Sequence, residues 1–194
     1  SAFLMKYLFD KFFFPKSIAV FGATDKTEKV GFFVFRNLGS FEGKVFAINP
    51  KYDTVQGKTC YGRLRDVPEV PDLAVIATPA ETVNDIIEDC GRAGVPAAVV
   101  LSAGFRGQTP DDLVRYHTLR ETAVRHRVRI IGPNCLGLMT PSIQLNAAFA
   151  PVMPLPGRLA FISQSGALGT SVLDWAAHRK VGFSHFVALG NMVD

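Results

Sequence analysis

The sequence has few cysteines, and no two of them lie close together. Its three cysteines, Cys60, Cys90 and Cys135, are dispersed over 194 residues without a CxxC motif or a Cys/His cluster. This pattern argues against a disulfide framework and against a zinc site, and it favours reduced thiols. We therefore expect a cytoplasmic protein without a bound metal.

Long runs of one residue type are also missing. The apolar N-terminal stretch is interrupted by Lys6, Asp10 and Lys11, so it is too short and too charged to span a membrane. It lacks a signal-peptide cleavage site, and we expect a packing helix there. A small phosphate-bearing molecule accounts for the net charge of +4 as well as nucleic acid does, and no nucleic-acid-binding signature occurs. We therefore expect neither a membrane nor a nucleic acid as partner.

Apolar runs of strand length alternate with helix-like stretches over the first 131 residues. Runs such as LAVIAT and AAVVLS are apolar throughout, as in parallel strands that are buried on both faces. The alternation predicts an α/β fold with a Rossmann-like, doubly wound parallel sheet. The predicted strands are 17–22, 44–49, 72–78, 97–102 and 128–131, and the predicted helices are 29–38, 81–93 and 111–127.

The pattern changes after residue 137. Residues 138–157 contain four prolines and no sustained hydrophobic period, so we expect a linker there. The residues that follow predict a strand, a tight turn, a helix and another strand, which cannot bury both faces of a sheet. We therefore expect residues 1–137 to form a first domain and residues 158–194 to be the truncated start of a second α/β domain. On this interpretation the chain is a fragment.

The stretch SIAVFGATDK, residues 17–26, leads from a strand through a glycine turn towards a helix. Such a turn presents the free N–H groups of the helix to an anion. An NAD site would need GxGxxG here and a carboxylate after the second strand. Instead the next glycine after Gly22 is Gly31, and the second strand ends in Asn49-Pro50-Lys51. The site suits a ligand with extra phosphate groups better than NAD, and a turn without a ligand is the open alternative.

Small and polar residues also follow the third and fourth predicted strands. These residues are Thr78-Pro79-Ala80 and Ser102-Ala103-Gly104. Open parallel sheets bind ligands at the carboxyl ends of their strands. The sequence therefore predicts one cleft at this edge of the sheet.

Six motifs occur in a fixed order along the chain: SIAVFGATDKTEKVG, AINPK, ATPA, SAGF, IGPNCLGLMTP and FISQSGALG. In this order and spacing they resemble the CoA-binding half of nucleoside-diphosphate-forming (NDP-forming) acyl-CoA synthetases. These enzymes are relatives of the succinyl-CoA synthetase alpha subunit and of ADP-forming acetyl-CoA synthetase. The resemblance covers residues 9–194. It implies a Rossmann-like CoA-binding domain followed by the start of a flavodoxin-like succinyl-CoA synthetase domain.

The resemblance implies roles for particular residues. The first turn would lie under the phosphates of CoA, Lys51 would meet phosphate at the adenosine end, and the third and fourth strand ends would flank the pantetheine arm. Asn134 would lie near the thiol end, with a merely turn-forming Asn as the alternative. The implied CoA-binding residues are Gly22, Ala23, Thr24, Asp25, Lys26, Val30, Gly31, Asn49, Pro50, Lys51, Thr78, Pro79, Ala80, Ser102, Ala103, Gly104 and Asn134.

A second implied site lies at the turn SQSG. In the resembled family this helix N-terminus holds the phosphate of a phosphohistidine or of an acyl-phosphate. The alternative is a plain helix cap at Ser163 or Ser165. The implied phosphate-binding residues are Ser163, Gln164, Ser165 and Gly166.

The resemblance places the catalytic histidine of the family beyond Asp194. We therefore expect no catalytic residue in the chain, which would bind CoA without turnover, so whether it counts as an enzyme stays open. The implied whole protein makes acyl-CoA, NDP and phosphate from an acid, CoA and ATP or GTP through acyl-phosphate and phosphohistidine. The implied partners are the remaining synthetase domains or a beta-type subunit with an ATP-grasp fold.

Two alternatives stay open at this point. The first is a regulatory domain that senses CoA or acetyl-CoA in a GNAT-type protein lysine acetyltransferase. The second is an NAD-binding dehydrogenase domain, against which the missing GxGxxG motif and ribose carboxylate argue.

Overall fold

The structure is a computed structural model that describes residues 2–105 and 107–194. The helices are α1 (Ala2–Phe13), α2 (Val30–Asn37), α3 (Ala80–Ala93), α4 (Pro110–His126) and α5 (Gly166–Arg179). The strands are β1 (Ser17–Phe21), β2 (Lys44–Ile48), β3 (Thr54–Val55), β4 (Lys58–Tyr61), β5 (Leu73–Ile76), β6 (Ala97–Val100), β7 (Arg129–Ile131), β8 (Gly137–Thr140), β9 (Leu145–Ala148), β10 (Leu155–Ser163) and β11 (Gly182–Ala188).

The first sheet has the strand order β3-β4-β2-β1-β5-β6-β7. Its strands run parallel except for the antiparallel β3–β4 hairpin at the edge. From β4 to β7 this is the 3-2-1-4-5-6 order of the Rossmann fold, in which β4 takes the third position. The predicted doubly wound parallel sheet is therefore confirmed.

Alternate residues of the strands face opposite layers. Ile18 and Val20 of β1 pack with α1, α2 and the second sheet, whereas Ala19 and Phe21 pack with α3 and α4. All five residues of β1 are buried, since helices or strands cover both faces of the sheet. This two-sided burial is the physical reason for the uninterrupted apolar runs in the sequence.

The start of α4 has two features that are typical of a helix N-terminus. The hydroxyl oxygen of Thr109 accepts a hydrogen bond from the backbone N–H of Asp112 at 3.2 Å, and Pro110 occupies the first turn. A proline costs nothing there because the first N–H groups of a helix have no partner within the helix.

The second sheet has the order β10-β11-β8-β9. Strands β10 and β11 are parallel, while β11–β8 and β8–β9 are antiparallel. The predicted linker 138–157 therefore contains regular structure: most of β8, all of β9 and the first residues of β10. In β8, Met139 pairs with Phe186 of β11, which lies 47 residues further on, and the prolines made the local β8–β9 hairpin look like a linker. The division into domains stays a prediction.

Within residues 2–105 and 107–194, no helix combines the length and the apolar character needed to cross a membrane.

Candidate functional site

The carboxyl ends of β2, β1, β5, β6 and β7 lie side by side at one edge of the first sheet. Contacts between the segments that follow these strands connect every predicted CoA-binding group. With a spacing of about 4.8 Å between neighbouring strands, the line from β2 to β7 is roughly 19 Å long. This edge therefore offers a long, shallow site rather than a compact pocket.

The loop after β1 is in direct backbone contact with its neighbours. Gly22 has a φ of +88°, and a Cβ atom added to it would collide with the carbonyl oxygen of Ala77 at the end of β5. A Cβ atom on Gly31, in the first turn of α2, would collide with the carbonyl oxygen of Gly22. Both glycines are thus needed for close packing, and the first turn of α2 lies directly behind the loop.

Asn49 connects the end of β2 to this loop. Its side-chain amide donates to the carbonyl oxygen of Ala23 at 3.0 Å, and its side-chain oxygen accepts from the backbone N–H of Lys51 at 3.0 Å. Within the loop, the Thr24 hydroxyl oxygen accepts from the N–H of Lys26 at 3.2 Å. Asn49 therefore holds the loop, while Lys51 is exposed at the rim of the site.

Gln56 lies in the turn of the β3–β4 hairpin and was not among the predicted site residues. Its backbone N–H donates to a carboxylate oxygen of Asp25 at 2.8 Å, and its side-chain amide reaches the carbonyl oxygens of Thr24 and Phe32. The only signal in the sequence is the pair Gln56-Gly57 between short alternating runs, which predicts a two-residue hairpin but not its contacts.

The ends of β5 and β6 also meet. Gly104 has a φ of +98°, and an added Cβ atom would lie 2.9 Å from the Cβ atom of Ala80. The Thr82 hydroxyl is within hydrogen-bonding distance of Thr78 Oγ1, at 2.8 Å, and of the Pro79 carbonyl oxygen, at 2.7 Å. These small residues leave the two strand ends closely spaced, and the Arg115 guanidinium donates to the Gly104 carbonyl oxygen at 3.3 Å.

Asn134 lies next to Ser102. Its backbone N–H donates to the Ser102 carbonyl oxygen at 2.9 Å, and its φ of +54° shows that it also serves as a turn residue. The Ser102 hydroxyl is buried, and no partner for it occurs in the described part of the chain.

The segment after β11 attaches the second unit, which consists of the second sheet and α5, to this edge of the first sheet. Asn191 N–H donates to the Pro133 carbonyl oxygen at 2.9 Å, and Val193 N–H donates to the Gly132 carbonyl oxygen at 3.0 Å. These bonds bring the turn between β10 and α5 close to Asn134.

A cleft of about 670 Å³ lies between the two units. Asn134 and three of the four predicted phosphate-binding residues line it, together with aromatic and apolar side chains from the other wall. Gln164, Ser165 and Gly166 are these three residues. The structure thus brings the predicted thiol end and the predicted phosphate turn into one cleft, whereas Lys51 lies at the other end of the line.

Ser163 and Ser165 both act as hydrogen-bond acceptors within the turn. Ser165 Oγ accepts from the N–H of Leu168 at 3.2 Å and caps α5, and Ser163 Oγ accepts from the N–H of Ser165 at 3.1 Å. A serine hydroxyl that accepts in this way keeps its proton for a further acceptor, such as a phosphate oxygen. A helix cap and an anion contact are therefore compatible at this turn.

The cleft lacks an obvious nucleophile among the described residues. Burial raises the pKa of the Cys135 thiol to about 12, and its Sγ atom lies 3.3 Å from the carbonyl oxygen of Val100, so the thiolate does not form near neutral pH. None of the four histidines belongs to the lining of the cleft. No cluster of three metal-ligating side chains occurs within residues 2–105 and 107–194.

Comparison with protein families gives two adjacent matches. Residues 16–141 match the CoA binding domain family, and residues 156–194 match the succinyl-CoA ligase like flavodoxin domain. The first match alone covers more than half of the chain.

Curated relatives include two ADP-forming acetate–CoA ligases. The chain is 44% identical to acetate–CoA ligase [ADP-forming] I of Archaeoglobus fulgidus over 182 residues, which are 94% of this chain and 27% of that protein. It is 41% identical to the alpha subunit of acetate–CoA ligase [ADP-forming] II of Pyrococcus furiosus over 189 residues, or 96% of this chain and 41% of that subunit. The chain therefore spans between about a quarter and two fifths of the length of these relatives.

A solved structure shows the same fold. The acetyl-coenzyme A synthetase 1 of Ca. Korarchaeum cryptofilum, in complex with phosphate and ADP, superposes with a TM-score of 0.89 at 39% identity, over 95% of this chain and 40% of that one. These relatives lend no support to the acetyltransferase and dehydrogenase alternatives. The chain belongs to the CoA binding domain family, in the form found in the NDP-forming acyl-CoA synthetases.

Proposed function

We propose that this chain binds CoA along the carboxyl edge of its first sheet, as the CoA-binding part of an NDP-forming acyl-CoA synthetase. The observation that carries the proposal is the continuous series of contacts from Lys51, through the loop after β1, to the cleft at Asn134. An elongated ligand with phosphates at one end and a thiol at the other matches this series in length and in chemistry.

The residues present fit the groups of CoA. The N–H groups at the start of α2 and the lysines around the loop after β1 suit the pyrophosphate. Lys51, exposed beyond the end of β2, suits the phosphate on the ribose. The closely spaced ends of β5 and β6, at residues 78–80 and 102–104, suit the narrow pantetheine arm.

At the other end, the cleft suits the acyl group and its phosphate. The N-terminus of α5 with the Ser163 and Ser165 hydroxyls can stabilise an anion there. Asn134 can orient the thiol end towards it.

The whole protein would join an acid to CoA with ATP or GTP, as the names of the relatives indicate for ADP-forming ligases. Other domains or a second, ATP-grasp subunit would supply the nucleotide site and the phosphorylated histidine. We place the protein in the cytoplasm.

Calorimetric titration with CoA, dephospho-CoA and NAD tests the proposal. We expect CoA to bind and NAD not to bind. Lys51→Ala should weaken CoA binding about tenfold, as expected for the loss of one charge-assisted contact, and should leave the binding of dephospho-CoA almost unaffected.

Lys44→Ala is the matched control for this titration. Lys44 is an exposed lysine at the opposite end of β2, where it forms an ion pair with Glu69. Equal effects of the two variants, or binding of NAD in place of CoA, would contradict the proposal.

A further inference from the structure

Gln56 has a backbone conformation that its residue type does not favour. In the two-residue turn between β3 and β4, Gln56 has a φ of +49° and Gly57 a φ of +75°. Such turns prefer Asn-Gly, Asp-Gly or Gly-Gly, because a side chain with a longer stem is disfavoured at positive φ. A residue that departs from the local preference is expected to have a compensating role elsewhere.

The contacts of Gln56 indicate this role. Its side-chain amide donates to the carbonyl oxygen of Thr24 at 3.3 Å and to that of Phe32 at 3.1 Å. Thr24 belongs to the loop after β1, and Phe32 belongs to the first turn of α2. One side chain thus connects the two segments whose N–H groups would face the pyrophosphate. We call these bonds, together with the backbone bond to Asp25, the Gln56 clasp.

The clasp also includes the carboxylate of the loop. Asp25 places a carboxylate in a loop that should receive phosphates, and like charges repel each other. In the structure, this carboxylate accepts the backbone N–H of Gln56 at 2.8 Å. Asp25 therefore has a partner within the protein on the hairpin side of the loop.

We propose that Gln56 is a positioning residue of the CoA site, a proposal that rests on the proposed function. It holds the loop after β1 and the start of α2 in the arrangement that receives the pyrophosphate. Because the loop is ordered before the ligand arrives, CoA binding does not have to order it. Gln56 itself acts through this loop and need not touch the ligand.

Two variants separate the side chain from the backbone turn. Gln56→Asn tolerates positive φ but is one methylene too short to reach both carbonyl oxygens, and Gln56→Gly removes the side chain and relieves the turn. The matched control is Gln144→Asn. Gln144 has a φ of +57°, and among the described residues its side chain bonds only to the nearby Pro141 carbonyl oxygen.

The test combines hydrogen exchange of the ligand-free chain with CoA titration. We expect both Gln56 variants to speed exchange of the hydrogen-bonded amides of Lys26, Lys29 and Phe32. CoA binding should weaken about five- to tenfold, for the loss of two neutral hydrogen bonds. The melting temperature should stay close to that of Gln144→Asn, which should change neither exchange at the loop nor affinity.

The outcomes distinguish this proposal from the proposed function. If the unsubstituted chain binds CoA and the Gln56 variants bind it equally well, the clasp is overturned and the CoA site stands. If the unsubstituted chain does not bind CoA, the proposed function fails, and with it the role of Gln56 in CoA binding. Unchanged exchange at the loop in both variants overturns the clasp whatever the ligand.

Discussion

At the scale of single residues, the packing of the loop after β1 depends on a glycine whose replacement would bring a Cβ atom into collision with the backbone. A Cβ atom on Gly31 would meet the carbonyl oxygen of Gly22, a backbone atom that cannot rotate away. Gly39 shows the contrast, because a Cβ atom there would meet no other atom of the described residues within 4 Å, its chain neighbours aside. The two glycines lie on or next to the same helix, and only one of them controls how closely α2 approaches the loop.

Gly31→Ala should therefore damage both stability and binding. The added methyl group forces α2 away from the loop, at a cost of about 1–3 kcal/mol in the free energy of unfolding, as is usual for overpacking. The same shift would spoil the anion site at the start of α2, so CoA affinity should fall by more than tenfold. Urea unfolding and calorimetric titration measure the two effects.

Gly39→Ala is the control for this change. It adds the same methyl group in open space, so stability and affinity should match the unsubstituted chain. Normal CoA binding by Gly31→Ala would show that the start of α2 does not contribute to the site.

At the scale of elements, α1 is held by aromatic packing around one histidine. The rings of Phe9, Phe13 and Phe14 lie 5.0–5.7 Å from the ring of His185 on β11, each in an edge-on arrangement. The Nε2 atom of His185 is buried, and no hydrogen-bond partner occurs for it in the described residues. A charged imidazole would be poorly solvated at this position.

Burial lowers the pKa of His185 below its ordinary value of 6.5. Between these two pKa values the unfolded chain binds more protons than the folded one, so stability falls as the pH drops below about 6.5. His185→Leu should make the free energy of unfolding less dependent on pH between about 7.5 and 5.5. Chemical unfolding at several pH values measures this dependence.

His117→Gln provides the comparison for this pH series. His117 is exposed on α4, away from α1. We expect the variant to keep the fall in stability at low pH. If the free energy of unfolding of His185→Leu falls at low pH as steeply as that of the unsubstituted chain, the contact between α1 and β11 does not sense protonation.

The sequence predicted the elements whose patterns are local. The buried parallel strands and the helices of the first sheet are visible as apolar runs and capping signals, and their bounds are right to within a few residues. The β3–β4 hairpin and the strands β8 and β9 were missed. These strands are two to four residues long, too short for an alternating pattern to stand out, and β8 also pairs with the distant strand β11.

The candidate site likewise contains features that the sequence could predict and one contact that it could not. The loop after β1 and the strand ends could be predicted, because glycines and small residues at the ends of parallel strands have a known use. The contact of Gln56 with the loop joins residues 31 positions apart, and no spacing rule indicates it. The roles of the individual site residues in binding CoA stay predictions.

At the scale of the whole molecule, α2 connects the candidate phosphate loop to the second sheet. At its C-terminal end, the side-chain amide of Asn37 donates to the carbonyl oxygens of Ala148 and Ala150, at 3.0 and 2.9 Å. Together with the backbone bonds at Gly132 and Pro133, this contact joins the two sheets. The two sheets should therefore unfold together.

Asn37→Ala should loosen this connection. It removes both donors from partly buried carbonyl oxygens, which costs about 1–3 kcal/mol. Trp175, the single tryptophan, lies on α5, so its fluorescence reports on the second unit. We expect its urea midpoint and that of the far-ultraviolet circular dichroism to fall together.

Asn84→Ala is the matched control. Asn84 is an asparagine within α3 whose side-chain oxygen finds no partner in the described residues, so its loss should be neutral or slightly stabilising. A fluorescence midpoint in Asn37→Ala equal to that of Asn84→Ala would contradict the proposed link between the sheets.

A crystal structure of this chain with CoA tests the central claim most directly. Our account predicts the adenosine end beside Lys51, the pyrophosphate over residues 22–25 and the pantetheine arm between residues 78–80 and 102–104. The thiol should then point into the cleft at Asn134. CoA bound away from this edge of the sheet, or bound in the reverse direction with its thiol at Lys51, would contradict the account.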